Sequence, residues 1–355
     1  VATTGDLAVF EVSVTPGGAG TLQLRIAASA VLNDLAGNSL DTAEAAPDDT
    51  IITVNAGSSP ATTMTASSNW QGGTWDNGQP GTGDDAVIGS GVTGTAVNSV
   101  DPWSGSLTLE SNSLLIVQST VNPNASDLAI DGASSFILQD GARIRDNFKT
   151  YTFTAGFNIT GLAGMTAAGP NTGWNQNRIF NEPISGTGTW TTEGFNHMGY
   201  TYNVANSFSG GYVINSSDRH GVGFNAPGSA GTGNITVNAA GNDRSAVIRL
   251  GANGVFASNA ILTLNGFGWN GSTGGFGAYS FYSGSSYNID LNGFDATVGA
   301  VFVNGVQVEA GSYQGGDAAW IGDRAGGGTL TVLNGPGGDY ATWTELYPEL
   351  SLIHI

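Results

Sequence analysis

Short apolar runs, each bounded by glycine, asparagine, aspartate or serine, recur along most of this chain. Val237, Leu264 and Leu291 end three such runs at intervals of 27 residues, and the tetrapeptide Leu-Asn-Gly-Phe at 264–267 recurs at 291–294. A period of this length indicates a solenoid, because one repeat cannot bury its own apolar face whereas stacked repeats share a continuous core. The spacing therefore predicts stacked coils of two or three short strands, about 4.8 Å apart.

The composition favours strands and turns over helices. The 355 residues include 56 glycines, and only 10% are charged. Glycine destabilises a helix interior by about 1 kcal/mol relative to alanine. We therefore expect an all-β protein.

Charge and cysteine content exclude several function classes. Nine Lys and Arg residues against 28 Asp and Glu residues give a formal net charge of −19, which repels nucleic acid and anionic membrane surfaces. No apolar run approaches the roughly 20 residues of a membrane span. The absence of cysteine excludes disulfides, zinc-thiolate sites and thiol nucleophiles. We predict no nucleic-acid partner and no membrane span in this stretch of chain.

Three stretches resemble secreted or surface-displayed bacterial right-handed β-helix proteins of the autotransporter-passenger type. The stretch 69–88, with Trp70, Trp75 and the pair Asp84-Asp85, looks like the segment that opens and caps their β-helices. The stretch 303–332 is similar to their closing coils, and 340–348 looks like a short helix that follows them. The resemblance implies the architecture and export to the cell surface or the medium. It does not imply one activity, because the family includes adhesins, structural stalks and polysaccharide-acting enzymes.

Near the N-terminus, the segment 31–38 resembles a loop of bacterial Ig-like surface domains, and the alternating runs around it are too few for a complete sandwich. We therefore expect residues 1–56 to be the C-terminal part of an Ig-like β-sandwich and 57–68 to be a linker. Residues 69–335 are expected to form a right-handed parallel β-helix. The remaining 336–355 are expected to be a truncated tail with a short helix.

Three aspartates are candidate calcium ligands. Asp84 and Asp85 lie together, and Asp34 lies in the N-terminal loop. Their carboxylate oxygens suit Ca²⁺, but neither region has the spacing of a dedicated calcium loop. The alternative is that these residues form turns by accepting hydrogen bonds from nearby backbone.

Two clusters of titratable residues are candidate catalytic sites. Arg145 and Asp146 belong to the run 140–149, where alternation directs Ile144 inward and the arginines outward. Asp218 and His220 form the other cluster. A carboxylate beside a basic group is what acid–base attack on a polysaccharide requires. The alternatives are a solvated outer face with salt bridges for the first cluster and a surface histidine for the second.

Aromatic residues crowd a Gly/Ser-rich insertion at 271–286 and its flanks. Their rings offer flat apolar faces with polar edges, which suit sugars and protein partners, although they could instead cover the coil beneath. The candidate ligand-binding residues are Trp269, Tyr279, Phe281, Tyr282 and Tyr287.

Two functions remain open at this stage. One is a non-catalytic extracellular or cell-surface module that contacts polysaccharide or extracellular matrix. The other is a polysaccharide lyase or glycoside hydrolase acting in an outer groove. No cofactor is expected apart from Ca²⁺ at the aspartates named above.

Overall fold

The computed structural model describes most of the chain after residue 60. The described residues are 61–97, 105–118, 133–146, 150–167, 176–194, 198–216, 220–239, 246–266, 274–276, 279–281 and 287–336, together with the strands Ala2–Thr3, Phe10–Glu11, Gly20–Ile26 and Ala46–Val54. The expected C-terminal helix lies outside these residues.

The chain divides into two compact units, 1–60 and 61–355. In the first unit the four strands form two antiparallel pairs, Ala2–Thr3 with Phe10–Glu11 and Gly20–Ile26 with Ala46–Val54. Its assignment as part of an Ig-like domain stays a prediction. The expected linker 57–68 overlaps the second unit, where residues 62–64 and 68–69 pair with later strands.

The second unit is built on three large sheets, and the described residues contain no helix. Sheet 1 has six strands, Thr62–Met64, Ala86–Ile88, Gly105–Leu109, Ala133–Leu138, Gly156–Ile159 and Ile184–Gly186. Sheet 2 has eleven, Ser68–Asn69, Thr93–Val97, Leu114–Gln118, Arg143–Asp146, Leu162–Ala167, Thr189–Gly194, Tyr212–Ser216, Ile235–Ala239, Ile261–Asn265, Ala300–Val303 and Val306–Gln307. Sheet 3 has seven, Thr150–Phe153, Gln176–Phe180, Met198–Tyr202, His220–Phe224, Ala246–Leu250, Ile289–Asp290 and Ile321–Gly322.

Two smaller sheets complete the described strands of this unit. Ala296–Val298 pairs in parallel with Leu330–Val332, which also pairs with Gly311–Tyr313 in the antiparallel sense. Gly274–Phe276 and Tyr279–Phe281 form an antiparallel pair within the predicted insertion.

Every pairing within the three large sheets is parallel except the last one in sheet 2, where residues 300–303 meet 306–307 in a hairpin. That hairpin turns at Asn304-Gly305, whose φ values of 51° and 81° suit the residue types that tolerate a left-handed backbone. The prediction of an all-β chain with parallel sheets is confirmed for the described residues.

The chain passes between the sheets in a fixed order. From residue 143 to residue 202 it visits sheet 2, sheet 3 and sheet 1 in turn, and we call one such passage a circuit. Each strand pairs with the strand of the same sheet in the next circuit, as Thr192 pairs with Ile214 and Ile214 with Val237. Before residue 143 the described strands alternate between sheets 1 and 2.

Hydrogen bonding between circuits continues after the last strand of sheet 1. The backbone N–H groups of Ser207 and Ser209 donate to the carbonyls of Ile184 and Gly186 over 2.9 and 3.1 Å. The buried Asn206 side chain extends this link, since its Oδ1 accepts from the Ile184 N–H and its Nδ2 donates to the Ser229 carbonyl. The stack therefore persists there without regular strand geometry.

Aromatic rings from all three sheets meet in one core. Phe157 of sheet 1, Phe180 of sheet 3 and Trp190 of sheet 2 lie with their ring centroids 5.6 to 5.9 Å apart. Along sheet 3, Phe180 also stacks on Phe153 and Tyr202, at 4.9 Å in each case. All five rings are core residues.

Four polar side chains inside this core pair with one another. The Trp190 Nε1–H donates to the Tyr202 hydroxyl over 2.7 Å, and the Tyr212 hydroxyl lies 2.9 Å from the hydroxyls of both Tyr202 and Thr192. Burial raises the pKa of both tyrosines, because their phenolate forms would lose the solvation of water. The network therefore stays neutral and satisfies hydroxyls that would otherwise be costly to bury.

Asparagine side chains link successive circuits along sheet 2. Asn265 Nδ2 donates to Asn238 Oδ1 over 2.9 Å, and Asn238 Nδ2 donates to Asn215 Oδ1 over 2.8 Å. These residues are separated by 27 and 23 positions, which are the lengths of the two circuits between them. The described part of sheet 2 thus has both a backbone ladder and a side-chain amide ladder.

The 27-residue sequence repeat holds for one step and fails at the next. Val237 pairs with Leu264 in sheet 2, as the spacing predicts. Leu264, however, pairs with Val303, and Leu291 directly follows the sheet 3 strand Ile289–Asp290. The two copies of the tetrapeptide differ in structure, because Asn265 is the last residue of a sheet 2 strand whereas Asn292 follows a sheet 3 strand and has a φ of 50°. The recurrence beyond Leu264 therefore does not report the stacking register.

At the start of the second unit, Trp70 and Trp75 are buried with their rings in an edge contact at 5.1 Å. The Trp75 Nε1–H donates to the Trp70 carbonyl over 3.0 Å. Both rings belong to the hydrophobic core, and the role of the 69–88 stretch in opening and capping a β-helix stays a prediction. In the described residues, no helix is long and apolar enough to cross a membrane.

Candidate functional site

Asp84 and Asp85 both hold nearby backbone. Asp84 Oδ2 accepts from the Gly81 N–H over 2.8 Å, and Asp85 Oδ1 accepts from both the N–H and the hydroxyl of Ser106 over 2.8 Å. The Asp84 bond matches the turn-forming alternative, whereas Asp85 links to a strand 21 residues later in the chain. The described residues contain no group of three or more His, Asp or Glu side chains placed to hold a metal ion, and Asp34 lies outside them. Calcium binding stays a prediction.

Arg145 and Asp146 lie in the sheet 2 strand Arg143–Asp146, with Ile144 buried in the core and Arg145 half-buried on the outer face. The neighbouring Arg143 extends across Gly164 of the next strand and donates to the Thr191 hydroxyl over 3.0 Å. A side chain at Gly164 would overlap the Thr191 carbonyl, so this glycine keeps the path open. The alternation predicted from the sequence is confirmed here.

His220 is fully buried and lies on the inner face of sheet 3, where its ring is 5.1 Å from that of Tyr200. Its Nδ1 lies 3.0 Å from the Asn215 carbonyl, and its Nε2 has no hydrogen-bond partner. Burial lowers the pKa of His220 to about 4, because the imidazolium would lose the solvation of water. The expectation of a surface histidine is therefore wrong.

The structure does not bring His220 and Arg145 into one groove, since one lies on the inner face of sheet 3 and the other on the outer face of sheet 2. Asp218 lies outside the described residues.

The structure describes only some of the aromatic candidates for ligand binding. Trp269 and Tyr282 lie outside the described residues, and Tyr279 and Phe281 belong to the strand Tyr279–Phe281. Tyr287 is half-buried, and its ring occupies the space over Gly322 that any side chain at that position would need. Tyr287 thus belongs to a group of residues whose other members the sequence analysis did not single out.

That group lies around the outer face of sheet 3, and we call it the Asp290 cluster: Arg249, Tyr287, Asn288, Asp290 and Arg324. Ile289 and Leu291 are buried in the core, so alternation directs Asn288 and Asp290 away from it. Arg249 and Gly322 are the strand neighbours of Asp290 on its two sides. The parallel pairing therefore brings together residues that are 41 and 32 positions apart.

Asp290 is a buried carboxyl group with one satisfied and one unsatisfied oxygen. Its Oδ1 accepts from the backbone N–H groups of Asn292 and Arg324 over 3.1 and 3.2 Å. Its Oδ2 has no hydrogen-bond partner and lies 3.9 Å from the Arg249 Nε. Burial raises the pKa of Asp290, and the neighbouring N–H groups and arginine charges oppose this effect only in part.

Arg249 is held in place by a second contact. Its NH2 group donates to Asn292 Oδ1 over 2.7 Å, and Asn292 Nδ2 in turn donates to the Leu250 carbonyl over 3.1 Å. Arg249 remains 21% exposed, whereas Asp290 is fully buried. The guanidinium group is therefore positioned between the buried carboxyl group and solvent.

Asn288 carries a second unsatisfied atom, the buried Nδ2. Asn288 and Asp290 are 2% and 0% exposed, and they project from the same side of one extended segment. Residues two apart on a strand are separated by about 6.6 Å. An unpaired donor thus lies close to an unpaired acceptor, although buried polar groups in native proteins almost always have partners.

Sequence reasoning could have placed Asp290 on an outer face, because Asn288-Ile289-Asp290-Leu291 alternates polar and apolar residues. It could not have paired Asp290 with Arg249, since that pairing depends on the length of chain between them. Searches against protein-family models, curated proteins and solved structures found no match to this chain.

Proposed function

We propose that this chain belongs to an exported bacterial protein and contacts glycans or extracellular matrix at the cell surface without cleaving them. The observation that carries the proposal is the hydrogen bonding of the carboxylates near the outer surface. Four of these carboxylates accept hydrogen bonds from backbone N–H groups, and these bonds keep them from acting as mobile acids or bases. They are Asp84, Asp85, Asp140 and Asp323.

Asp323 illustrates the point most fully. Its Oδ1 accepts from the N–H groups of Gly293 and Gly326 over 2.7 and 2.9 Å, and its Oδ2 accepts from the Gly328 N–H over 2.6 Å. Such a side chain fixes a turn and keeps the loop surface rigid, which suits display better than proton transfer.

The architecture proposed for 61–336 is a right-handed parallel β-helix. The cyclic order of the three sheets and the ten parallel strands of sheet 2 support it, and such strands at about 4.8 Å extend over about 43 Å. Parallel strand crossovers are right-handed in about 98% of cases, which supports the hand. A stiff stack of this kind suits a surface module. Export and a bacterial origin follow from the resemblance of the 69–88, 303–332 and 340–348 stretches.

Retention assays test this function. The full chain, immobilised through its N-terminus, is exposed to arrays of acidic and neutral glycans and to collagen. We expect retention of at least one ligand class with no change in its chain length. An absence of retention on every surface would leave only a passive spacer and contradict the proposal.

Polysaccharide cleavage is a second candidate, and one observation favours it. Asp290 is a carboxyl group whose pKa is raised by burial, and a raised pKa is a property that the general acids of glycoside cleavage share. Uronate polymers and neutral glycans would be incubated with the protein and followed for unsaturated and reducing ends. Turnover that Asp290→Asn abolishes and Arg143→Gln preserves would establish cleavage and overturn the non-catalytic proposal.

A further inference from the structure

The Asp290 cluster combines features that a rigid outer face does not need. A buried donor at Asn288 Nδ2 and a buried acceptor at Asp290 Oδ2 lack hydrogen-bond partners. Leaving such groups unpaired costs about 1–3 kcal/mol each. Both groups lie on one short segment, and a ligand that supplies the missing partners would remove this cost.

The charge of the cluster is unusual for this chain. The sequence has nine Lys and Arg residues against 28 acidic ones, yet the Arg249 guanidinium lies 3.9 Å from the carboxyl group of Asp290 and the charge of Arg324 also acts on that group. With Asp290 ionised these three side chains carry a net positive charge, and the adjacent Asp323 carboxylate is already bound by three backbone N–H groups. An anionic group is therefore favoured here, although the rest of the chain repels it.

The remaining component is an aromatic face. Tyr287 immediately precedes Asn288 and is half-buried over Gly322, the strand neighbour of Asp290. An aromatic ring with a polar edge packs well against the apolar face of a sugar ring. The cluster thus places four groups within one small area: an N–H donor and an oxygen acceptor for sugar hydroxyls, a guanidinium group and an aromatic ring.

We infer that the Asp290 cluster binds an acidic saccharide, a hexuronate unit of a glycan. The sugar hydroxyls pair with Asn288 Nδ2 and Asp290 Oδ2, the sugar carboxylate pairs with the Arg249 guanidinium, and the sugar ring packs on Tyr287. This inference rests on the proposed glycan-contact function and names its site and ligand class. Because both unpaired atoms are closed to solvent, a covering side chain must move first, and association is expected to be slow.

Isothermal titration calorimetry tests the ligand class. The probes are trigalacturonate and trimannuronate, with galactotriose and mannotriose as neutral partners of the same ring stereochemistry. We expect one acidic trisaccharide to bind at least tenfold more tightly than its neutral partner, since the neutral sugar lacks the carboxylate that pairs with Arg249. Equal binding of the acidic and neutral forms would overturn the assignment of an acidic ligand.

Substitutions test the site. We expect Arg249→Gln, Asp290→Asn and Tyr287→Ala each to weaken binding of the acidic trisaccharide at least tenfold. Arg143→Gln, the matched loss of one charge on the outer face of sheet 2, is expected to leave affinity unchanged. Thermal unfolding of each variant checks that it folds, and Tyr287→Ala alters only a half-buried side chain, so it preserves the test if a buried substitution unfolds the chain.

The failures are distinguishable. Variants of the cluster that bind as well as Arg143→Gln would overturn the site while leaving the glycan-contact function intact. A wild-type chain that ignores both acidic probes but is retained on neutral glycans or collagen would overturn the inference alone. A chain retained by nothing would overturn both the inference and the proposed function.

Discussion

Truncating Phe180 tests whether the three sheets share a core. The ring is fully buried, stacks on two rings of its own sheet at 4.9 Å and touches Phe157 and Trp190 from the other two sheets. Burial of a phenylalanine and the cavity left behind account for about 3–5 kcal/mol, and the lost ring pairs add about 0.5–1.5 kcal/mol each. Because partial relaxation of the cavity offsets some of this, we expect Phe180→Ala to cost about 5 kcal/mol.

The assay is urea unfolding followed by the fluorescence of the eight tryptophans, of which Trp190 has its ring centroid 5.9 Å from that of Phe180. Phe302→Ala is the matched control, because Phe302 is half-buried in the last parallel strand of sheet 2. We expect that control to cost less than about 2 kcal/mol. Stacked repeats can unfold in more than one transition. The two variants are therefore compared at the transition in which the tryptophan fluorescence changes. Equal losses in the two variants would refute the shared core.

Two further predictions concern polar groups inside and outside that core. His220 stays neutral in the folded state, so its contribution to the free energy of unfolding is fully present above its unfolded pKa of 6.5. That contribution falls by about 3 kcal/mol in total as the pH drops from there towards the folded pKa of about 4. A pH series of unfolding midpoints for wild type and His220→Phe measures this, and equal slopes for the two proteins would contradict it. Asn238→Val removes the bonds to Asn215 and Asn265 and should cost about 1–3 kcal/mol in urea unfolding, whereas Thr236→Val on the same outer face should be nearly neutral; equal effects would mean that the amide ladder contributes nothing.

The sequence predicted the local features of the fold well. Alternation identified which side chains enter the core, as at Ile144 between Arg143 and Arg145, because strand geometry places successive residues on opposite faces. Glycine and asparagine marked corners for the same local reason, and Asn304-Gly305 adopts the left-handed backbone that only such residues adopt easily. The fold class and the parallel pairing of the strands were predicted from these patterns.

Register could not be predicted, because it depends on how much chain leaves the stack between two strands. Thr263 pairs with Phe302 since the intervening chain contains an insertion and a full passage through sheet 3. The repeated tetrapeptide concealed this, because its two copies lie at the ends of strands that belong to different sheets.

The candidate site depended on the same missing information. Asp290 lies beside Arg249 only once the strands are paired. His220 was misjudged for a related reason: its neighbours in sequence are polar, while the residues that bury it come from other circuits.

The stacking register is the central claim, and engineered disulfides test it most directly. The chain has no cysteine, so paired substitutions introduce the only thiols. Adjacent parallel strands lie about 4.8 Å apart, within reach of a disulfide. Oxidation of Thr236→Cys with Thr263→Cys, and of Thr263→Cys with Phe302→Cys, is expected to give intramolecular crosslinks, detected by mass spectrometry of peptides. Crosslinking of Thr263→Cys with Asp290→Cys in place of the Phe302 pair would contradict the account, because it would mean that the 27-residue repeat sets the stack.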